Sequence, residues 1–261
     1  MLKNGTFTGG WIDMPPYGNL INQQPNGWIL RWIEPGNPLF GAGDKAAGVP
    51  ECVHKLAKQL PPNEQLGAKD ALILAGDTTY KIFHSGSPFG VELKQVVTGL
   101  KPGSSATLVV PILAVLNNDP DPYGAESGVW INGHGHWTNG GQMGNRKWHR
   151  HEQTFTVPDN GTAIIEIRVK SKWPRPKDFF IDGITLTAEA GESDSGETPV
   201  ILPDPIMIPD QDKENEGATN SGAGKVVKVH VPKGMKLVTA VSNQANTVVV
   251  VVPKGVSVKK N

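Results

Sequence analysis

Between residues 130 and 151 the chain gathers side chains suited to holding a sugar: Trp130, His134, His136, Trp137, Asn139, Arg146 and Trp148. Flat indoles match the C–H faces of a pyranose ring, while amide, imidazole and guanidinium groups exchange hydrogen bonds with its hydroxyls. The span is glycine-rich, which predicts a long loop between strands, where binding groups sit on a rigid scaffold. His134 and His136 share one face of an extended backbone, as do His149 and His151. Four such imidazoles could hold zinc or copper, but the spacing is a weak metal signal and reads in preference as hydrogen-bonding histidines in a polar loop.

Catalysis has less to draw on. Glu51, Glu92, Glu126 and Glu152 supply carboxylates, yet no spacing pairs two of them across a cleft as a glycosidase requires. There is no Gly-x-Ser-x-Gly elbow, phosphate loop or His-Glu-x-x-His helix, and Cys52 has no partner pattern. The residues point to a binding protein and not an enzyme, a glycoside-active enzyme being the lesser alternative. Trp28 and Trp32, on either side of Leu30, read as core residues of a strand. Trp11 and Trp173 lie beside Gly or Pro and fit core or surface. Arg31 and Glu34 read as surface residues near the Trp28 strand, within reach of a sugar.

These groups must be positioned by strands. Val91, Leu93 and Val97 alternate with Glu92 and Lys94, the period of a half-buried strand. Leu100-Lys101-Pro102-Gly103 then makes a turn, and residues 106–116 form a second apolar strand in which Pro111 predicts an edge or a bulge. Residues 1–7 read as a first strand. After Pro50, the spacing of Val53, Leu56 and Ala57 predicts one short helix over 51–59. Asn118-Asp119-Pro120-Asp121-Pro122-Tyr123-Gly124 reads as a turn in preference to a calcium loop.

In 261 residues there are 31 Gly, 22 Pro and one Cys, with no formal net charge. This turn-rich composition suits an all-β domain. Electroneutrality excludes the basic surplus of nucleic-acid binders, and a lone cysteine excludes an internal disulfide. No segment nears the ~18 apolar residues of a membrane span, and the N-terminus shows no apolar leader. The expected setting is extracellular or a virion surface, with no signal peptide visible in this chain. Charge is uneven, however: residues 189–223 hold nine acids against Lys213, and residues 224–261 hold seven lysines and no acid.

Three parts follow from this: a domain over 1–188, an acidic Pro-rich linker or arm over 189–223, and a small basic β tail over 224–261. The arm's apolar run, 199–209, reads as polyproline-like, draped over its own domain or packed on a neighbouring subunit. The tail repeats Val229-His230-Val231-Pro232-Lys233-Gly234-Met235 as Val250-Val251-Val252-Pro253-Lys254-Gly255-Val256. A sheet this small needs cover, so self-association or docking on an assembly partner is expected.

Residues 1–188 resemble the galactose-binding-like jelly rolls that include carbohydrate-binding modules of the xylan and cellulose type. The matching pieces are Asn4-Gly5-Thr6-Phe7, Asn26-Gly27-Trp28, Ala71-Leu72-Ile73-Leu74, the segment 95–103, Phe155-Thr156-Val157-Pro158 and the closing Phe180-Ile181-Asp182-Gly183-Ile184-Thr185-Leu186. The resemblance implies an all-β jelly-roll β-sandwich, a glycan or polysaccharide as partner, and no cofactor beyond a structural calcium at Asp182. Thr8 stands where the first-strand acid of that calcium site is usual, so Asp182 reads in preference as a turn or capping residue. The same sandwich also serves as a building block, which gives the alternative of a capsid decoration or fibre subunit.

Overall fold

The computed structural model describes residues 1–33, 37 and 48–191, and the backbone of 235–241 and 247–253. The chain divides into two compact units, Met1–Ile206 and Met207–Asn261. Strands of the first unit are β1 (Trp11–Asp13), β2 (Gln23–Pro25), β3 (Ile29–Trp32), β4 (Glu51–Leu56), β5 (Thr78–His84), β6 (Phe89–Val97) and β7 (Ser105–Val115). They continue with β8 (Ala125–Ile131), β9 (His134–Asn139), β10 (Trp148–Thr156), β11 (Ala163–Ser171), β12 (Lys177–Ile181) and β13 (Thr185–Thr187). One sheet runs β10-β7-β12-β5-β4, with β13 also on β7, and the other runs β3-β6-β11-β8-β9. All these pairings are antiparallel, and the chain passes repeatedly from one sheet to the other. The predicted jelly-roll β-sandwich is the fold.

Alternation explains the core. Val91, Leu93 and Val97 of β6 meet Ile165, Ile167 and Val169 of β11 on one inner face. Val110, Ile112 and Ala114 of β7 lie with Phe179 and Ile181 of β12 on the other. Burial of such side chains is the main drive to fold, each contributing ~1.5–3 kcal/mol. Gln95 occupies a core position of β6, but its amide bonds the Lys3 backbone in both directions, at 2.7 and 3.0 Å.

Several expectations change. Pro111 does not mark an edge: β7 is central, and residues 110–111 fall between those paired with β13 (107–109) and those paired with β12 (112–115). Residues 51–56 form β4 instead of a helix, because both faces are buried, with Cys52 and His54 on one and Val53 on the other. A short helix would bury a single stripe. Only Ala57–Gln59 winds as a 3-10 turn.

Residues 1–7 are not a strand. Asn4 and Phe7 adopt left-handed φ values of 50° and 56°, and the Asn4 side chain bonds Gly9, Gly10 and Asn26 backbone groups. The opening segment still lies beside the closing one, with the Ile184 amide donating to the Gly5 carbonyl. The sandwich extends past residue 188, since Ala190 bridges Leu100 and the Gly191 amide donates to Gly99.

Cys52 is fully buried, and burial pushes its thiol up to about 12. In the second unit β14 (Met235–Val241) pairs antiparallel with β15 (Thr247–Pro253). The arm from 192 to 223 and the two Pro-Lys-Gly turns, apart from Pro253, lie outside the described residues. Among the described residues no helix is long and apolar enough to cross a membrane.

Candidate functional site

The span 130–151 is not a loop. β8 and β9 form a hairpin whose two-residue turn is Asn132-Gly133, with φ of 52° and 80°. Both values are positive, as a type I′ turn demands, and Asn-Gly is its preferred sequence. One helical turn, α1 (Gly140–Met143), follows, capped by the Asn139 side chain accepting from the Gln142 amide at 3.1 Å, and β10 begins at Trp148.

Strand register then sorts the predicted residues. Val129 and Ile131 point into the core, so Trp130 faces outward on the five-stranded sheet, and Trp137 and Asn139 of β9 share that face. The indoles meet edge to face, with centroids 4.9 Å apart. Trp130 is buried against two glycines: a Cβ at Gly135 would stand 2.6 Å from Trp130 Cγ, and one at Gly128 2.7 Å from its Cζ3. Only glycine permits that approach. Trp137 is half-buried and presents the more accessible indole.

The same face carries alternate residues of three further strands. Arg31, Glu92, Arg168, Gly128 and Trp137 lie in register across all five strands. At ~4.8 Å per strand spacing, that row is about 19 Å wide. Arg31 bonds Glu92 at 2.9 Å, Arg168 bonds Glu92 at 2.7 Å and Glu166 at 2.9 Å, and Lys94 bonds Glu166 at 3.2 Å. Glu126 holds Lys170 at 3.1 Å and Lys172 at 2.9 Å. The Arg168 guanidinium also lies over the Trp130 ring at 4.4 Å, and the Lys170 ammonium over Trp137 at 4.6 Å. Both cations are attracted to the electron-rich ring faces. The result is a rigid aromatic and charged surface able to hold a polar, ring-shaped ligand. Both Glu92 and Glu166 reach one guanidinium, an arrangement unlike the acid and base facing each other across a sugar.

Other predicted residues sit elsewhere. His134 and His136 occupy the opposite side of β9, at the sandwich edge next to β10, where the His134 carbonyl accepts from Gln153. His151 is buried with Nε2 2.8 Å from the Ser127 hydroxyl, and its ring meets His149 edge to face at 4.7 Å. Among the described residues no three His, Cys, Asp or Glu side chains are placed to hold a metal ion. Arg146 and Trp148 belong to the outer face of the other sheet. There Arg146 bonds Glu64 at 2.6 Å, and the Trp148 indole donates to the Ala71 carbonyl at 2.8 Å. Together they fasten the 57–77 segment, whose Leu72 packs on Leu113, Val115 and Phe180.

Asp182 does not fit a calcium ligand. Its buried carboxylate accepts from the Leu74, Ala75 and Gly183 amides at 2.6, 3.0 and 2.7 Å, so three positive dipole ends already converge on it. Burial nevertheless raises its pKa to about 6.

The histidines make stability pH-dependent. Burial lowers His151 to about 3, helped by His149 and His136, and lowers His54 to about 4 against the pull of Asp13. Each stays neutral in the fold while the unfolded imidazole takes a proton below ~6.5. Stability is therefore full above that pH and declines as pH falls toward 4, by up to ~1.4 kcal/mol per pH unit for each histidine. Asp182 acts oppositely, binding its proton more readily folded than unfolded between ~3.9 and about 6, and offsets one histidine. Urea titrations at pH 7, 6, 5 and 4 are expected to show falling stability; a flat or rising series contradicts this account.

No family model matches the chain, and neither does any curated protein. Among solved structures, the chain is similar to carbohydrate-binding modules. A family 61 module solved with β-1,4-galactotriose shares 15% identity and a TM-score of 0.44, over 72% of this chain and 97% of that one. A family 4 module shares 16% identity and a TM-score of 0.33, over 72% and 100%. The enzymatically active domain of tailspike protein 4 from bacteriophage CBA120 shares 11% identity and a TM-score of 0.40, over 62% and 19%. Galactotriose and enzymatic activity are properties of those proteins. The sandwich described above stands on this chain's own strand register.

Proposed function

We propose that the chain is a non-catalytic glycan-binding protein, acting outside the cell, whose polysaccharide lies across the outer face of the five-stranded sheet. The observation that carries this reading is the Trp130–Trp137 pair, set on a glycine floor at the end of a 31–92–168 row of charged side chains. Trp137 offers a stacking surface beside hydrogen-bonding groups, the combination a pyranose needs. Asn139 completes the face through its amide nitrogen, its oxygen being used in the α1 cap.

Wild-type protein is expected to bind at least one polysaccharide in affinity gels or on a glycan array. Trp137→Ala, with unchanged circular dichroism, should weaken that binding about tenfold or more, ~1.4 kcal/mol. Failure of the wild type on every glycan, or full binding by the variant, removes this reading.

A second reading, assembly into a larger structure such as a virion, draws on the C-terminal hairpin. A two-stranded sheet is marginally stable in water alone, and residues 247–252 alternate no polar side. A sedimenting oligomer of the full chain that becomes monomeric on removal of 224–261 supports it.

A further inference from the structure

We propose that the ligand of the five-stranded face is an anionic polysaccharide, one bearing carboxylate or sulfate groups. This rests on the glycan-binding reading and narrows it. The chain of ion pairs Arg31–Glu92–Arg168–Glu166–Lys94 has a cation at each end and three cations for two carboxylates. Both oxygens of Glu92 and both of Glu166 already receive a cation. Glu126 is engaged in the same way by Lys170 and Lys172.

Among the described residues, what solvent reaches on this face is therefore positive. The side chains of Arg31, Lys94 and Lys172 are 42%, 33% and 25% exposed, against 2%, 12% and 15% for Glu92, Glu166 and Glu126. A guanidinium carries five N–H donors and an ammonium three, so Arg31, Lys94 and Lys172 keep donors beyond the bonds named. A neutral sugar brings hydroxyls that both donate and accept, and the carboxylates offer little to accept their protons. An acidic sugar brings acceptors and the charge that ends the Arg31–Lys94 chain in balance, and charge-assisted hydrogen bonds are the stronger kind. The half-buried Trp137 ends the same row four strands from Arg31, where it would hold another ring of the same polysaccharide.

The test uses the full chain in calorimetric titrations with polygalacturonate, a sulfated galactan, neutral β-1,4-galactan and poly-L-glutamate. At least one of the two acidic polysaccharides is expected to bind ten times or more tighter than neutral galactan, and which of them wins separates carboxylate from sulfate. That affinity should fall as sodium chloride rises from low to physiological concentration and beyond. The Arg31→Gln/Lys94→Gln double variant should lose about tenfold toward the acidic polysaccharide and markedly less toward the neutral one, and Trp137→Ala should weaken the acidic one as well. Equal binding of neutral galactan, indifferent to salt, overturns the charge inference and leaves the glycan reading standing. Equal binding of poly-L-glutamate, or acidic binding unchanged in both variants, also overturns it, as simple ion exchange elsewhere on the surface. If no polysaccharide binds, both fall.

Discussion

Asp119→Ala is expected to lower the free energy of unfolding by about 3–5 kcal/mol. Lys177 has a fully buried side chain whose ammonium bonds Asp119 Oδ2, and the Asp119 side chain is 3% exposed although the residue as a whole is half-buried, between exposed Asn118 and Pro120. The same oxygen accepts from the Trp173 indole at 2.8 Å, while Oδ1 accepts from the Asp121 amide at 3.1 Å. Burial works against the charged carboxylate, yet the bonds from Lys177, Trp173 and the Asp121 backbone together hold its pKa down to about 2. Removing the acid leaves a cation with neither water nor a partner. Chemical denaturation of the single variant and of Asp119→Ala/Lys177→Met checks the mechanism: the second change should recover much of the loss, because an apolar replacement of both partners leaves no buried charge. A loss below about 1 kcal/mol for the single variant would show that the pair is solvated.

Asp182→Ala should be nearly as damaging, at about 3 kcal/mol or more. Three backbone amides converge on its carboxylate, and each buried donor left without an acceptor costs about 1–3 kcal/mol. The damage should be local first: hydrogen exchange at Leu74 and Ala75 is expected to accelerate ahead of the sheet amides, as the 72–76 segment comes away from the end of β12. Asp182→Asn keeps one acceptor oxygen and should retain more stability than alanine. Calcium-dependent stabilisation of the wild type would contradict the assignment of this carboxylate to backbone amides.

The strands with a clean two-residue period were legible before any coordinates. Val91, Leu93 and Val97 do face the core, the Lys-Pro-Gly turn does separate β6 from β7, and the Asp182-Gly183 segment does lie beside the opening residues. Where the reading failed, a tertiary partner outweighed a local pattern. Helical spacing over 51–59 lost to pairing with β5, and Pro111 sits centrally because its neighbours on that side change strand there.

The make-up of the proposed site is half legible in the sequence. Its tryptophans stood out by type, and the Asn132-Gly133 dipeptide carried a hairpin signal that the glycine-rich composition obscured. The charge rows were hidden for a different reason. Arg31, Glu92, Lys94, Glu166 and Arg168 come from three strands far apart in the chain, and only the register of β3 on β6 and β6 on β11 sets which cation meets which carboxylate. Gly135 likewise reads as a loop residue until the Trp130 ring is seen resting on it and on Gly128.

The double anchoring of side chains on the five-stranded face bears on selectivity. Arg168 is held by two carboxylates and a tryptophan ring, and Glu92 by two guanidinium groups, so their rotamer freedom is already surrendered when the chain folds. A ligand docking there loses little additional conformational entropy from the protein, and the surface cannot reshape itself around a poor match. For the glycan binding proposed above, discrimination between ligands should therefore arise from spacing and linkage geometry, the property of a fixed template and not of an adaptable one.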